Sequence, residues 1–236
     1  MSIPLDPSLL LKAYAAGIFP MADGRDAADV YWVEPKRRGI LPLDGFRLSR
    51  SLAKTIKSER FETTCDHAFS EVVTLCAAQG PERQSTWINA QIETAVTQLH
   101  GVGDAHSIET WQDGELVGGL YGIRLGRAFF GESMVSRATD ASKVALAHLV
   151  ARMRLGRFSL LDCQFITPHL ASLGAIEVTR NRYMGLLSAA LSSEAAAGDF
   201  RALDAGLPAT VSPLRTTVVS GPVSGWRIVQ ALAQTS

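Results

Sequence analysis

The chain of 236 residues has little of what marks several protein classes. Its three cysteines, Cys65, Cys76 and Cys163, are an odd number without CxxC spacing, which argues against a disulfide framework and a structural zinc site. His67, His100, His148 and His169 show no metal-ligand spacing and read as capping or surface residues. No apolar run is long enough to span a bilayer, and no basic leader precedes an apolar stretch; a reducing cytoplasm without membrane contact is the expected setting. Neither sign of charge is in excess, since 23 Lys and Arg balance 23 Asp and Glu, so no global field draws the chain to nucleic acid.

Charge is nevertheless uneven along the chain. Residues 36–60 carry Lys36, Arg37, Arg38, Arg47, Arg50, Lys54, Lys57 and Arg60 against Asp44 and Glu59. Such a patch either neutralises phosphates or is a solvated helix face and loop. Trp32 and Trp87 lie near loops, where a large aromatic is a lid on the core or a stacking platform; stacking one base contributes roughly 1–3 kcal/mol.

The length fits one domain of ordinary size plus a smaller one. Asp6-Pro7 opens a helix ending at Gly17, 18–21 reads as an apolar loop, 30–33 as a short strand, and Ser49 caps a basic helix reaching Ser58. These elements form an N-terminal domain over 1–60. A catalytic domain over 61–192 follows. It begins with a strand at 61–65 and a helix capped by Asp66 and broken at Gly80-Pro81, then a helix capped by Asn89 with Ile92, Ala95, Val96 and Leu99 on one face. Turns at Asp113-Gly114 and Gly126-Arg127 fold 105–134 into a meander. Asp140 caps a long amphipathic helix bearing Val144, Leu146, Leu149, Val150 and Met153; a buried strand at 158–166, a short helix from Thr167-Pro168 and a last helix from Thr179 complete the order. The fold class is α+β, a mixed sheet covered by helices. The tail over 193–236 reads as an appendage, packed on the surface or partly loose.

Three polar side chains stand in otherwise apolar strands. Strand alternation puts Asp162 and Gln164 on one face and Cys163 on the other. Held by the carboxylate, the Gln164 amide would orient an amine; alternatively Asp162 only satisfies backbone donors. Glu132 needs a cation or donors, supplied by a charged substrate or by an internal Arg such as Arg137. Cys163 faces inward and reads as core filler rather than a nucleophile, and the neighbours His106 and Ser107 face opposite sides and cannot act as a catalytic pair.

An ordered series of motifs carries a resemblance: Tyr14-Ala15-Ala16-Gly17-Ile18-Phe19-Pro20, Trp32 with Pro35, Thr86-Trp87-Ile88, Ala105-His106-Ser107-Ile108-Glu109, Leu116-Val117-Gly118-Gly119-Leu120-Tyr121-Gly122, Gly131-Glu132-Ser133-Met134, Ser136-Arg137, Ala141-Ser142-Lys143, Leu161-Asp162-Cys163-Gln164 and Ala171-Ser172-Leu173-Gly174-Ala175. From about residue 9 to 187 the chain resembles the leucyl/phenylalanyl-tRNA–protein transferase family. The resemblance implies a small N-terminal domain on an acetyltransferase-like (GNAT) catalytic domain. It implies a monomeric enzyme that moves Leu or Phe, less often Met, from aminoacyl-tRNA to the N-terminal α-amine of proteins beginning with Arg or Lys, marking them for degradation by the N-end rule. No cofactor is implied, coenzyme A included, because the tRNA ester is already activated and the enzyme has only to hold ester and amine at attacking distance.

Carried onto this sequence, Asp162 polarises Gln164, Gln164 binds and helps deprotonate the amine, and Glu132 meets the cationic acceptor residue. Phe129, Met134, Leu146, Met153 and Leu161, with Leu120 nearby, form the pocket for the transferred side chain. Trp32 and Trp87 flank the terminal adenosine, while Lys36, Arg37, Arg38, Arg50, Lys54 and Lys57 meet tRNA phosphates. One departure is visible: Val96 and Leu99 stand where the family carries an aromatic in the helix before the meander.

Two other readings compete. An acyl-coenzyme A acetyltransferase needs a glycine-rich turn ahead of the long helix, and 136–142 contains no glycine. A non-catalytic RNA-binding module would use the basic patch and tryptophans but leaves Asp162, Gln164 and Glu132 without purpose.

Overall fold

A computed structural model describes residues 4–78, 85–192, 196–205, 209–211 and 218–234. The break expected at Gly80-Pro81 lies outside them. In chain order the elements are α1 (Pro7–Ala15), β1 (Phe19–Met21), β2 (Tyr31–Val33), β3 (Arg37–Ile40), α2 (Arg50–Lys57), β4 (Glu62–Cys65), α3 (Phe69–Ala77) and α4 (Ala90–Val102). There follow β5 (Ala105–Gln112), β6 (Glu115–Leu125), β7 (Ala128–Ser136), α5 (Ala141–Leu155), β8 (Leu160–Gln164), α6 (Pro168–Ser172), β9 (Ile176–Thr179), α7 (Arg180–Ala190), β10 (Ala209–Val211), β11 (Val218–Ser220) and α8 (Gly225–Ala233). None of these helices is long and apolar enough to cross a membrane.

Most of the expected starts have the expected cause. Asp6 accepts from the Ser8 N–H at 2.8 Å, Ser49 from Leu52 at 3.1 Å, Asn89 from Ile92 at 3.0 Å and Thr167 from Leu170 at 3.2 Å. Two caps differ. Asp66, at φ 61, precedes α3 without capping it; its carboxylate turns back to the Ser107 N–H at 2.9 Å and His106 Nδ1 at 2.7 Å. Asp140, at φ 71, holds Lys143 Nζ at 2.8 Å, and Ser136 Oγ takes the Ser142 N–H instead.

The central sheet runs β4-β5-β6-β7-β8-β3-β9. Every neighbouring pair is antiparallel except β7 and β8, which are joined through α5 and therefore run parallel. The mixed sheet agrees with the sequence reading, but two of its strands, β3 and β9, were not foreseen. β3, from the segment assigned to the N-terminal domain, lies between β8 and β9. The loop expected at 18–21 is β1, paired with β2 through Pro20 opposite Trp32.

Alternation along the strands divides the core. Leu120, Phe129 and Leu161 face α2, α5 and α8, whereas Tyr121, Phe130 and Leu160 face α1, α3, α4 and α7. Helix α5 is buried almost all round rather than on one stripe, His148 and Arg152 included. The tail supplies what that burial demands: Arg152 Nη1 donates to Asp204 at 2.7 Å and to the Phe200 carbonyl at 2.6 Å.

The described residues 200–204 of the tail are thus part of the core rather than a loose appendage. Phe200 stacks on His106 at 4.1 Å and on Phe129 at 5.3 Å, and Leu203 is fully buried. Phe200→Ala is expected to cost about 3–5 kcal/mol, read as a lowered denaturant midpoint; a loose tail would leave the midpoint unchanged.

Candidate active site

The pairing of β7 with β8 stops at Phe130 opposite Asp162. Beyond that point the two strands part, and each bears a bulge. Tyr121 pairs with Ser133 and Gly122 with Gly131, leaving Glu132 as the extra residue of β7. Gly39 pairs with Gln164 and Ile40 with Asp162, leaving Cys163 as the extra residue of β8. Bulges re-aim side chains and end pairing. A Cβ on Gly122 would stand 2.3 Å from the Phe130 carbonyl oxygen, so only glycine fits the strand beside the first bulge.

The space so opened is a cleft of about 310 Å³. Its apolar wall includes Leu120, Met134, Leu146, Leu149, Leu161 and Leu170, its polar wall Glu132, Ser133 and Gln164, and Trp87 and His169 also line it. Of the five residues expected to hold the transferred side chain, Met134, Leu146 and Leu161 are here, as is Leu120. Phe129 and Met153 are not; both are fully buried in the core behind, where Phe129 stacks on Phe200.

The face assignment on β8 needs correction. Leu161 and Cys163 line the cleft, and Asp162 points away from it with no exposed surface. Gln164 has φ 59, rare for a residue with a side chain, and this left-handed turn brings it back to the cleft. Gln164 Nε2 donates to Glu132 Oε1 at 3.1 Å, leaving its carbonyl oxygen to accept from a ligand. The carboxylate holding the amide is therefore Glu132, not Asp162.

Asp162 acts one layer behind. Its Oδ1 accepts the Gln164 backbone N–H at 2.8 Å and Arg38 Nε at 2.9 Å; its Oδ2 accepts Arg38 Nη2 at 2.7 Å and the Tyr183 hydroxyl at 2.7 Å. Arg38 is 1% exposed, with its guanidinium over the rings of Phe19 and Tyr183. It is a structural cation and not part of the surface patch expected to meet phosphates.

Among the described residues Glu132 is in no ion pair, with Arg137 or any other cation. Burial pushes its carboxyl up to about 7, against the opposing hydrogen bonds of Tyr14 and Gln164. It therefore changes charge near neutrality. Burial also raises the Cys163 thiol far above its usual range, which makes it a poor nucleophile. The side chains of His106 and Ser107 answer to different carboxylates, Asp66 and Glu109. Burial and nearby Lys143 lower His169, the cleft residue that sequence spacing did not single out. Its only signal was a position two residues into a Thr-Pro helix start, directly after β8.

The remaining sequence candidates lie on the surface. Trp32 is 40% exposed on β2 and does not line the cleft. Lys36, Arg37, Arg50 and Lys54 are exposed and Lys57 is half-buried; Arg37 pairs with Glu177.

A cleft at parting strands, with an acid and an amide bonded across it, has the geometry to hold a polar group beside an apolar one. Residues 40–188 match the family described as Leucyl/phenylalanyl-tRNA protein transferase, and residues 4–36 match its N-terminal domain. A protein of that name from Rhizorhabdus wittichii is 62% identical over 98% of this chain and 99% of its own length. One from Zymomonas mobilis is 62% identical over 82% and 72%, and one from Novosphingobium aromaticivorans 50% identical over 98% and 97%. Among solved structures, that of L-PGS from Bacillus licheniformis is similar at a TM-score of 0.40 and 11% identity, covering 72% of this chain and 56% of that one. The chain belongs to the leucyl/phenylalanyl-tRNA–protein transferase family, a family of aminoacyltransferases.

Removing one partner from the buried pair strands the other charge. Arg38→Met and Asp162→Leu should each destabilise by about 3–5 kcal/mol in urea titrations, and the variant carrying both should recover much of the loss. Equal destabilisation by the double variant and the sum of the singles would deny the coupling.

Proposed function

We propose that this chain transfers Leu or Phe, less often Met, from aminoacyl-tRNA to the α-amine of proteins beginning with Arg or Lys, marking them for N-end rule degradation. The observation that carries the reading is the Glu132–Gln164 hydrogen bond in the wall of a mainly apolar cleft. An apolar side chain fits beside Leu120, Met134, Leu146 and Leu161, and a cation is drawn to Glu132. The fold is read as GNAT-like with a small N-terminal domain, and the enzyme as a cytoplasmic monomer.

In this reaction the free amine attacks the ester carbonyl carbon; the C–N bond forms, the C–O bond to the ribose breaks, and the amine proton ends on the departing hydroxyl. Gln164 Oε1 accepts a hydrogen bond from the amine and aligns its lone pair. It cannot keep the proton, so a ribose hydroxyl relays it. Asp162 positions Gln164 through the backbone N–H. Trp87 stacks on the terminal adenosine, and Lys36, Arg50, Lys54 and Lys57 meet phosphates. Trp32 and Arg37, both exposed, join them in this reading, Arg37 by exchanging its ion pair with Glu177 for a phosphate.

Acyl-coenzyme A is disfavoured as donor. The first amides of α5 are already engaged, Ser142 N–H by Ser136 Oγ at 3.2 Å and Ala141 N–H by the Ala138 carbonyl at 3.1 Å, so no cradle for pyrophosphate is open there.

The test combines purified protein, Leu-tRNA and an Arg-initiated peptide without coenzyme A. A Leu-extended peptide is the expected mass; its absence with verified charged tRNA would sink the proposal. The pH dependence follows from Glu132, which is neutral below about 7 and ionised above it. Acceptor KM should fall as pH rises through that value, because only the ionised form attracts the cation. Glu132→Gln should flatten this dependence and raise the KM at pH 8 by about tenfold or more.

A further inference from the structure

Phe165 directly follows Gln164 and lines the cleft with Glu132, yet it is 48% exposed. Its backbone is held firmly. A Cβ on Gly39 would stand 2.9 Å from the Phe165 carbonyl carbon, so β3 runs tight against this segment. On the other side Ile166 packs on the core, and Thr167 Oγ1 caps α6 by accepting from the Leu170 N–H. The Phe165 ring meets that of buried Phe19 at a centroid distance of 5.6 Å and an angle of 78°. In such an edge-to-face contact Phe19 covers at most one face of Phe165, and aromatic surface is left open beside the acid and the amide.

The acid in this wall is only partly free. Glu132 Oε1 accepts from Gln164 Nε2 at 3.1 Å, and the Tyr14 hydroxyl also hydrogen-bonds the carboxylate. A carboxylate so engaged draws any cation but offers a guanidinium less room for a two-point clasp. Its charge alone does not tell Arg from Lys. The two head groups differ in shape and hydration: a guanidinium is planar, weakly hydrated and stacks on aromatic faces, whereas an ammonium is compact and strongly hydrated. An open ring next to a carboxylate suits the first.

We propose that Phe165 stacks on the guanidinium of an acceptor whose first residue is Arg while Glu132 takes its charge, so that this chain prefers Arg over Lys at the acceptor terminus. The inference rests on the reading of such proteins as acceptors. It assigns selectivity to a side chain that touches the acceptor and leaves alignment of the amine to Gln164. A base of the donor RNA is a poorer occupant, because it brings phosphates toward the Glu132 carboxylate, whereas a guanidinium brings the opposite charge.

The experiment uses the full chain and a pair of peptides that differ only in their first residue, Arg or Lys. Transfer from Leu-tRNA gives kcat/KM for each, and titration without tRNA gives each Kd. Wild type should favour the Arg peptide by about fivefold, and Phe165→Leu should bring the ratio close to one, mainly through the KM of the Arg peptide. Trifluorophenylalanine in place of Phe165 keeps the size of the ring but weakens the negative charge of its face. It should lower the ratio too, which loss of packing alone would not do.

A wild-type ratio near one, or a ratio that neither replacement alters, overturns the proposal. So does a higher KM for Leu-tRNA with the peptide ratio intact, the result expected if the ring held a donor base. Should Phe165→Leu fail to fold, the nearly isosteric fluorinated ring decides. Transfer to both peptides without dependence on Phe165 would leave the proposed activity standing and remove this inference. Absence of transfer, with Arg-peptide binding that weakens when Phe165 is replaced, would do the reverse, and absence of both transfer and peptide binding would remove both.

Discussion

One buried carboxylate holds the architecture of the cleft together. Asp162 takes no surface contact with water, and an ion moved out of water costs several kcal/mol unless its lone pairs are met. Arg38 meets them in a two-point clasp, with Tyr183 and the Gln164 backbone completing the set. The donors come from β3, α7 and β8 itself. Through the guanidinium, which also reaches the Gly17 carbonyl at 3.4 Å, the end of α1 is tied to the same point. The clasp lies where β8 leaves β7, so the place of greatest electrostatic demand is also where the sheet opens.

What the opening exposes is determined by two bulges. An uninterrupted β7 would keep strict alternation through Glu132, and an uninterrupted β8 would send Gln164 to the side of Asp162. The extra residues and the positive φ of Gln164 instead bring acid and amide together across the gap. Burial leaves Glu132 with a carboxyl near 7, a group ready for a positive partner. An apolar pocket beside it separates the part of a substrate that wants hydrocarbon from the part that wants charge.

Much of this was legible in the chain. Helix starts at Asp6, Ser49, Asn89 and Thr167 follow from side-chain oxygens ahead of apolar periodicity, and the meander follows from its turns. The identities of Glu132, Asp162 and Gln164 were marked by polar residues in apolar strands. Their mutual arrangement was not, because period-two reasoning has no means of locating an inserted residue. Arg38 was misassigned for a related reason: within a run of cations, nothing local distinguishes the one whose strand is drawn into the sheet. The pocket was overestimated where Phe129 and Met153 sit one layer too deep, and the tail underestimated because its Ala-, Gly- and Pro-rich composition hides Phe200 and Leu203.

The placement of β3 has a consequence for how the protein comes into being. A strand from residues 37–40 waits between two neighbours synthesised more than a hundred residues later, β8 and β9. Contacts of such sequence separation form slowly, after the local helices and the meander. A growing polypeptide emerging from the ribosome therefore holds Arg38 without its counter-charge until β8 has followed, and the cleft is among the last parts of the molecule to mature.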